Sequence, residues 1–255
     1  MTNNLHLLKN IVKNKTVIIM LHGKSIEQLE NHIEQLKDKD ICYASLNYFD
    51  LMEDYILNKI NKRLDYVLDT AGVKDNNKHN YSIKRRIPRL KKLFSRPDKS
   101  MLLTIHGVMK NLIEKENCGE LLEKNKDRIL VLDSLGIDLI NVPNSASLLI
   151  SVTLLAGAKK IIICGMDGYL GKPENSVPTY YKQDLYLQHQ KDALGTNDIT
   201  HLNGDTKNFE IMIKNIISSY CQLLEIKQPE IYNCSPNSLI NVFPKIDYNQ
   251  LKDIV

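Results

Sequence analysis

Residues Asn141 to Tyr169, NVPNSASLLISVTLLAGAKKIIICGMDGY, decide how the chain is read. Asn144 and Ser145 are short polar residues of the kind that cap the free N–H groups at a helix start. Residues 146–156 are small and apolar and carry no charge, so the helix they predict is buried nearly all round. Gly157 suits its C-terminal cap. Ile161 to Cys164 then predict a strand buried on both faces, the habit of parallel sheets. Gly165-Met166-Asp167-Gly168 closes that strand with a carboxylate between glycines. In an open α/β sheet, ligands bind beyond the carboxyl ends of the strands. Asp167 and Tyr169 are therefore candidates for such an edge, and the helix start at Asn144-Ser145 is a candidate anion site.

Working outward toward the start, Thr16 to Leu21 predict another buried strand. His22-Gly23-Lys24-Ser25 follows, then a helix from about Ile26 to Lys37 with apolar residues at Ile26, Leu29, Ile33 and Leu36. Strand, glycine turn and helix open a βαβ unit. Gly23 lets a ligand approach the backbone, and Lys24 can meet a phosphate. The turn is neither a GxGxxG fingerprint nor a P-loop. Ile41–Leu46 and Leu64–Asp69 predict two further strands, ending at Asn47 and Asp69. In a parallel sheet, Gly23, Asn47 and Asp69 share one edge.

Residues 74–99 are basic: Lys84, Arg85, Arg86, Arg89, Lys91, Lys92, Arg96 and Lys99 surround Ile87, Leu90, Leu93 and Phe94. At helical spacing these make an apolar stripe with a cationic rim, and Pro88 is expected near the helix start, where it is tolerated. A helix packed on the domain with its charges in water is the simpler expectation. Peripheral contact with anionic lipid through 84–99 is the functional one. Nucleic acid is not expected, because aromatics for base stacking are scarce there. Met101–His106 and Arg128–Leu132 predict strands around a helix over 108–124. Residues 170–205 are polar and loop-rich and predict a lid over the carboxyl edge. Helix 206–225 and strand Glu230–Cys234 follow, with Ser235-Pro236-Asn237-Ser238 as a polar turn.

Bulk properties set the limits. The 255 residues suffice for one large α/β domain. The net charge of +4 permits an anionic ligand but does not demand nucleic acid. Five scattered cysteines form neither a CxxC nor a Cys/His cluster, which fits reduced thiols in the cytoplasm. The polar start lacks a secretory core. The longest apolar run is shorter than the about 20 residues a bilayer span needs. The expectation is a single Rossmann-like domain over residues 1–255. Its mostly parallel sheet is flanked by helices, with a basic helical insertion at 74–99 and a polar lid at 170–205. The expected location is cytoplasmic, with contact at the inner face of the membrane left open. A homo-oligomer is also left open.

Several of these pieces together resemble glycosyltransferase family 42, the bacterial sialyltransferases. They also resemble the wider group of motility-associated glycosyltransferase-like and 6-hydroxymethyl-dihydropterin pyrophosphokinase-like proteins. The pieces are Leu21-His22-Gly23-Lys24-Ser25-Ile26, Leu64 to Asp69, Asn144-Ser145, the run from Gly157 to Asp167, and Cys234-Ser235-Pro236-Asn237-Ser238-Leu239. The resemblance implies a transferase that moves an acidic sugar from a cytidine-monophosphate donor to a glycan acceptor. It needs no cofactor. Gly23 and Ser25 would lie at the nucleotide phosphate, and Asn47, Asn144 and Ser145 at the donor. Asn237 and Ser238 would form a turn at the nucleotide. Tyr169 with Tyr180 or Tyr181 would assist departure of the phosphate. Where the sialyltransferases carry a second histidine as base, this chain has His201-Leu202-Asn203-Gly204-Asp205. Asp205, or His201 after a loop shift, would then take the acceptor proton. Asp205 also suits a helix cap. The alternatives are an ATP-dependent pterin pyrophosphokinase with Mg²⁺ on Asp69 and Asp167, and a non-catalytic nucleotide-binding relative.

Overall fold

A computed structural model describes residues 4–69, 79–95, 100–104, 118–132, 144–168, 181, 182, 184, 185, 188 and 206–255. Within them lie seven strands: β1 (Thr16–Met20), β2 (Ile41–Leu46), β3 (Tyr66–Asp69), β4 (Met101–Thr104), β5 (Ile129–Val131), β6 (Lys160–Cys164) and β7 (Glu230–Asn233). All neighbouring strands pair in parallel, in the order β5-β4-β3-β2-β1-β6-β7. The expected Rossmann-like α/β architecture is what the chain adopts.

The strands read as continuous apolar runs because both of their faces are covered. On one face Ile18, Met20, Tyr43, Val67, Leu102 and Ile162 share a core with α2 (Glu27–His32), α3 (Asp50–Tyr55), α4 (His79–Phe94) and α5 (Gly119–Lys124). On the other, Val17, Ile19, Ala44, Leu68, Ile161 and Ile163 pack against α1 (Leu5–Val12), α6 (Ser145–Leu155) and α7 (Thr206–Leu223). A short α8 (Leu251–Ile254) rejoins the first face through Leu251.

Helix α6 has no polar side because it has no wet side: every residue from Ser147 to Leu155 is buried. The Ser147 and Thr153 hydroxyls are used internally. Thr153 donates to the Leu149 carbonyl and meets the Tyr66 hydroxyl at 2.6 Å. Gly157 takes a positive φ of 84°, and its N–H bonds the Leu154 carbonyl, the ending that glycine favours.

Three departures from the sequence reading have physical causes. The segment 24–36 is a 3-10 turn, a short α2 and a second 3-10 turn rather than one helix, yet Ile26, Leu29, Ile33 and Leu36 are all fully buried. Pro88 sits inside α4, not near its start. There the packing of Leu90, Leu93 and Phe94 outweighs the lost N–H, since amphipathic burial supplies most helix stability in proteins. The third is α1, which its polar surroundings concealed. Leu8 and Val12 are fully buried, and the side-chain amide of Asn4 donates to the carbonyls of Lys126 and Ile129 beside β5.

The chain builds β1 to β5 outward in one direction, then returns past them to lay β6 on the other side of β1. The topological switch therefore falls between β1 and β6, where such sheets bind ligands. No helix among the described residues is long and apolar enough to cross a membrane.

Candidate functional site

At the switch, β1 and β6 run in register to Met20 and Cys164 and then stay together. The Leu21 N–H donates to the Cys164 carbonyl at 2.8 Å, and the Gly23 N–H to the Gly165 carbonyl at 3.0 Å. This approach is what Gly23 is for. A Cβ there would lie 2.4 Å from the Gly165 carbonyl oxygen and 2.7 Å from Asp167 Oδ2. Gly165, at φ 76°, would press a Cβ to 2.4 Å from the Leu21 carbonyl oxygen. Two glycines thus let two turns interlock.

The carboxylate of Asp167 reaches across the interlock. Its Oδ2 accepts the Ser25 backbone N–H at 2.9 Å, and its Oδ1 accepts a short bond from the Ser25 hydroxyl. The turn after β7 joins from the other side. Ser25 Oγ lies 2.7 Å from Ser235 Oγ. Because the Ser25 proton is given to Asp167, Ser235 is the donor in that pair. The hydroxyl of Tyr248, fully buried, stands beside Ser25 and Ser235, and burial pushes its ionisation well above the ordinary tyrosine range. Ser238 Oγ donates to the Met166 carbonyl at 2.6 Å and accepts the Ile240 N–H at 3.0 Å. The Leu239 N–H donates to the Asp167 carbonyl at 2.7 Å, and Asn233 Nδ2 to the Met166 carbonyl at 3.2 Å. Three turns from residues 22–25, 165–168 and 234–239 are one hydrogen-bonded unit.

Beneath them, Cys164 and Cys234 are fully buried on the last turns of adjacent strands. Burial first, then the neighbouring Cys234, drives the Cys164 thiol well above the usual thiol range, so it is packed as a small apolar group.

The other sequence candidates fall as follows. Asn47 ends β2 in the left-handed region, φ 48°, which asparagine tolerates, and its N–H donates to the Leu68 carbonyl at 2.8 Å. Asp69 ends β3 and is buried. Asn144 caps α6: its Oδ1 accepts the Ser147 N–H at 2.9 Å and the Ser147 hydroxyl at 3.1 Å. The far end of α6 is fixed by the Asn14 N–H donating to the Gly157 carbonyl, at the entry to β1 and β6. Eleven residues at about 1.5 Å each carry Asn144 and Ser145 back to the carboxyl edge. Asn237 is exposed on the third turn. Lys24 pairs with Glu27 of α2. Gly23, Ser25, Asp167 and Ser238 are therefore joined directly, and Asn47, Asp69 and Asn144-Ser145 share the edge with them.

Tyr181 is the described member of the tyrosine set. Its N–H donates to the His22 carbonyl at 2.9 Å, and its hydroxyl donates to Glu30 Oε2 at 2.7 Å. Burial and the Glu30 hydrogen bond raise its ionisation far above ordinary tyrosine. Glu30 also pairs with Lys59 at 3.1 Å and Lys182 at 3.2 Å. Burial alone would lift the Glu30 carboxyl, but its bonds from Tyr181, Lys59 and Lys182 leave it below the ordinary value. Tyr169, Tyr180, His201 and Asp205 lie outside the described residues, as does most of the expected lid.

The basic helix α4 is packed as well as charged. Arg89 meets Asp50 of α3 at 3.4 Å and lies 4.9 Å over the Tyr48 ring, and Lys92 holds both oxygens of Asp54. Lys91 is exposed. The side chains of Lys84, Arg85, Arg86, Arg96 and Lys99 lie outside the described set.

Sequence reasoning missed Ser235, Tyr248 and Glu30 as partners. Only Ser235 carried a signal, its place directly after the last strand. Fold and edge together define a doubly wound, Rossmann-like α/β protein with a polar unit at its switch point. No protein-family model, no curated protein and no solved structure matches the chain.

Proposed function

We propose that the chain is a sialyltransferase-like glycosyltransferase that moves an acidic sugar from a cytidine-monophosphate-activated donor to a glycan acceptor. The observation that supports this reading best is the convergence at the β1/β6 switch of the first turn, the Asp167 turn and the Ser235–Ser238 turn. Those are the segments whose sequences carry the resemblance, and the switch is where such sheets bind nucleotides.

In this reaction the acceptor hydroxyl attacks the anomeric carbon as the bond to the cytidine monophosphate oxygen breaks. Configuration inverts in a single displacement. Asp205 or His201 takes the hydroxyl proton, and tyrosine hydroxyls stabilise the departing phosphate. With Tyr181 committed to Glu30, Tyr169 and Tyr180 are the pair assigned that task. No metal is required. The protein would work in the cytoplasm, and any contact with anionic lipid falls to the cations of α4 that α3 does not engage.

The pyrophosphokinase alternative is the weaker one on geometry. It asks Asp69 and Asp167 to share Mg²⁺. The Asp167 carboxylate lies over the end of β1, and β2 separates β1 from β3. Two strand spacings are roughly 10 Å. Oxygens on one Mg²⁺ lie within about 4 Å of each other. That strand spacing is the ground for preferring the transferase.

Thermal stabilisation by cytidine monophosphate, cytidine diphosphate and ATP, each with and without Mg²⁺, tests the reading. A ligand at 100 times its Kd adds about 2.7 kcal/mol. Cytidine-selective stabilisation that does not need metal is expected. Stabilisation by ATP with Mg²⁺ alone would replace the transferase with the kinase. Asp205→Asn transferring sugar at the wild-type rate would remove Asp205 as the base.

A further inference from the structure

The first turn is built unlike a phosphate cradle. The Ser25 N–H of this turn is already taken by a carboxylate, as is the Ser25 hydroxyl. The space that a glycine normally leaves for a ligand is filled by Asp167 and the Gly165 carbonyl. Behind Ser25, Ser235 donates inward along the same line, so the hydroxyls point their protons toward Asp167. The fully buried Tyr248 hydroxyl is aimed at the same pair and has no hydrogen bond of ordinary geometry. The carboxylate is the acceptor end of this chain, and Asp167 and Ser25 are only half-buried. Each carboxylate oxygen has one partner from Ser25 and retains a lone pair for another donor.

We infer that Asp167 makes this turn a subsite for hydroxyl groups and excludes phosphate from it. The ribose or sugar hydroxyls of the ligand donate to Asp167, and its phosphate lies elsewhere along the edge. The inference rests on the proposed nucleotide-sugar site and fixes the ligand's orientation there. It also moves the phosphate away from Gly23 and Ser25. A phosphate charge about 4 Å from Asp167 would weaken binding by about 5-fold in water-like surroundings and by about 1,000-fold in a partly buried site.

The test uses the full chain without divalent metal and four probes: cytidine, cytidine monophosphate, adenosine monophosphate and inorganic pyrophosphate. Binding is measured by calorimetry for wild type, Asp167→Asn and Ser25→Ala. Asparagine keeps an acceptor for the Ser25 N–H and removes the charge. Wild type is expected to ignore pyrophosphate and to bind both cytidine and its monophosphate. In Asp167→Asn, cytidine should weaken 10-fold or more while pyrophosphate binding appears. Ser25→Ala keeps the carboxylate and should keep the exclusion, which separates charge from a general disturbance of the turn. Pyrophosphate binding to wild type as tightly as to Asp167→Asn overturns the inference, as does cytidine affinity indifferent to that change. Preference for adenosine monophosphate with pyrophosphate still excluded would sink the cytidine reading alone and leave Asp167 in its role. A chain that binds none of the probes in any variant overturns both.

Discussion

The two ends of the sheet use buried polar side chains in opposite ways. At the amino end Arg128, Asn4 and Asp65 are consumed by backbone. Arg128 donates to the carbonyls of Ser100, Phe94 and Leu93, each at 3.0 Å, and so caps α4 while stacking on Phe94. Asn4 spends its amide on two carbonyls, and Asp65 accepts the Tyr43 N–H at 2.8 Å. At the carboxyl end polar side chains also meet other polar side chains: Ser25 meets Asp167 and Ser235, with the buried Tyr248 hydroxyl beside them, and Asn233 Oδ1 is buried without a hydrogen-bond partner. A saturated group serves stability. An unsatisfied buried atom costs free energy that stability alone does not explain, and Asn233 Oδ1 lies where a sheet of this kind takes ligands.

This contrast breaks most easily at Arg128. Arg128→Ala strands three carbonyls and should lower stability by about 3 kcal/mol or more in urea titrations, with nucleotide affinity unchanged in the fraction that folds. Arg128→Lys should recover only part, because an ammonium cannot fork to three carbonyls. Gly23→Ala comes next. Its Cβ would force the interlocked turns apart, costing about 1–3 kcal/mol, and here ligand-induced stabilisation should fall as well. If Gly23→Ala lost stability but bound nucleotide normally, the two ends would not differ in kind. Tyr66→Phe, which removes a buried hydroxyl pair with Thr153 midway between the ends, should cost about 1 kcal/mol and leave binding alone.

Glu30 sharpens the contrast through pH. Its folded value lies below the ordinary 4.5, so its contribution is complete above that pH and is lost as pH falls through the folded value. The gap in urea midpoint between wild type and Glu30→Gln should therefore be widest near neutrality and close below about pH 4.5. The smallest effect belongs to Lys92→Ala. Its bridge to Asp54 is roughly half exposed and should be worth under about 0.5 kcal/mol by thermal denaturation.

What could be read in the sequence follows from how local its cause is. Strands buried on both faces announce themselves as apolar runs, so β1, β2 and β6 were bounded to within a residue. The uncharged stretch before β6 could only be a helix with no wet side. The helix α1 was legible in principle, through Leu5, Leu8 and Val12 at helical spacing, but its polar neighbours hid it. Pro88 misled because side-chain packing can outweigh a missing N–H, and packing is not local. At the candidate site the ingredients were visible and their assembly was not. Gly23, Ser25, Asp167 and Ser238 were named for their places at strand ends, but the bond between Ser25 and Asp167 spans 142 residues and turned a supposed phosphate contact into a donor already engaged. Ser235, Tyr248 and Glu30 matter only through what the fold sets beside them. Arg128 looks like any surface cation until three carbonyls surround it.

The central strand's two neighbours arrive at very different times during synthesis. β1 pairs with β2 almost at once, but Val17 waits for Ile161, 144 positions later. At 5–20 residues per second a ribosome needs about 7–30 s to make that stretch. For that interval β1 presents a bare apolar edge to the cell, so a nascent chain stalled before β6 should be sticky and bind chaperones, and release of β6 should end it.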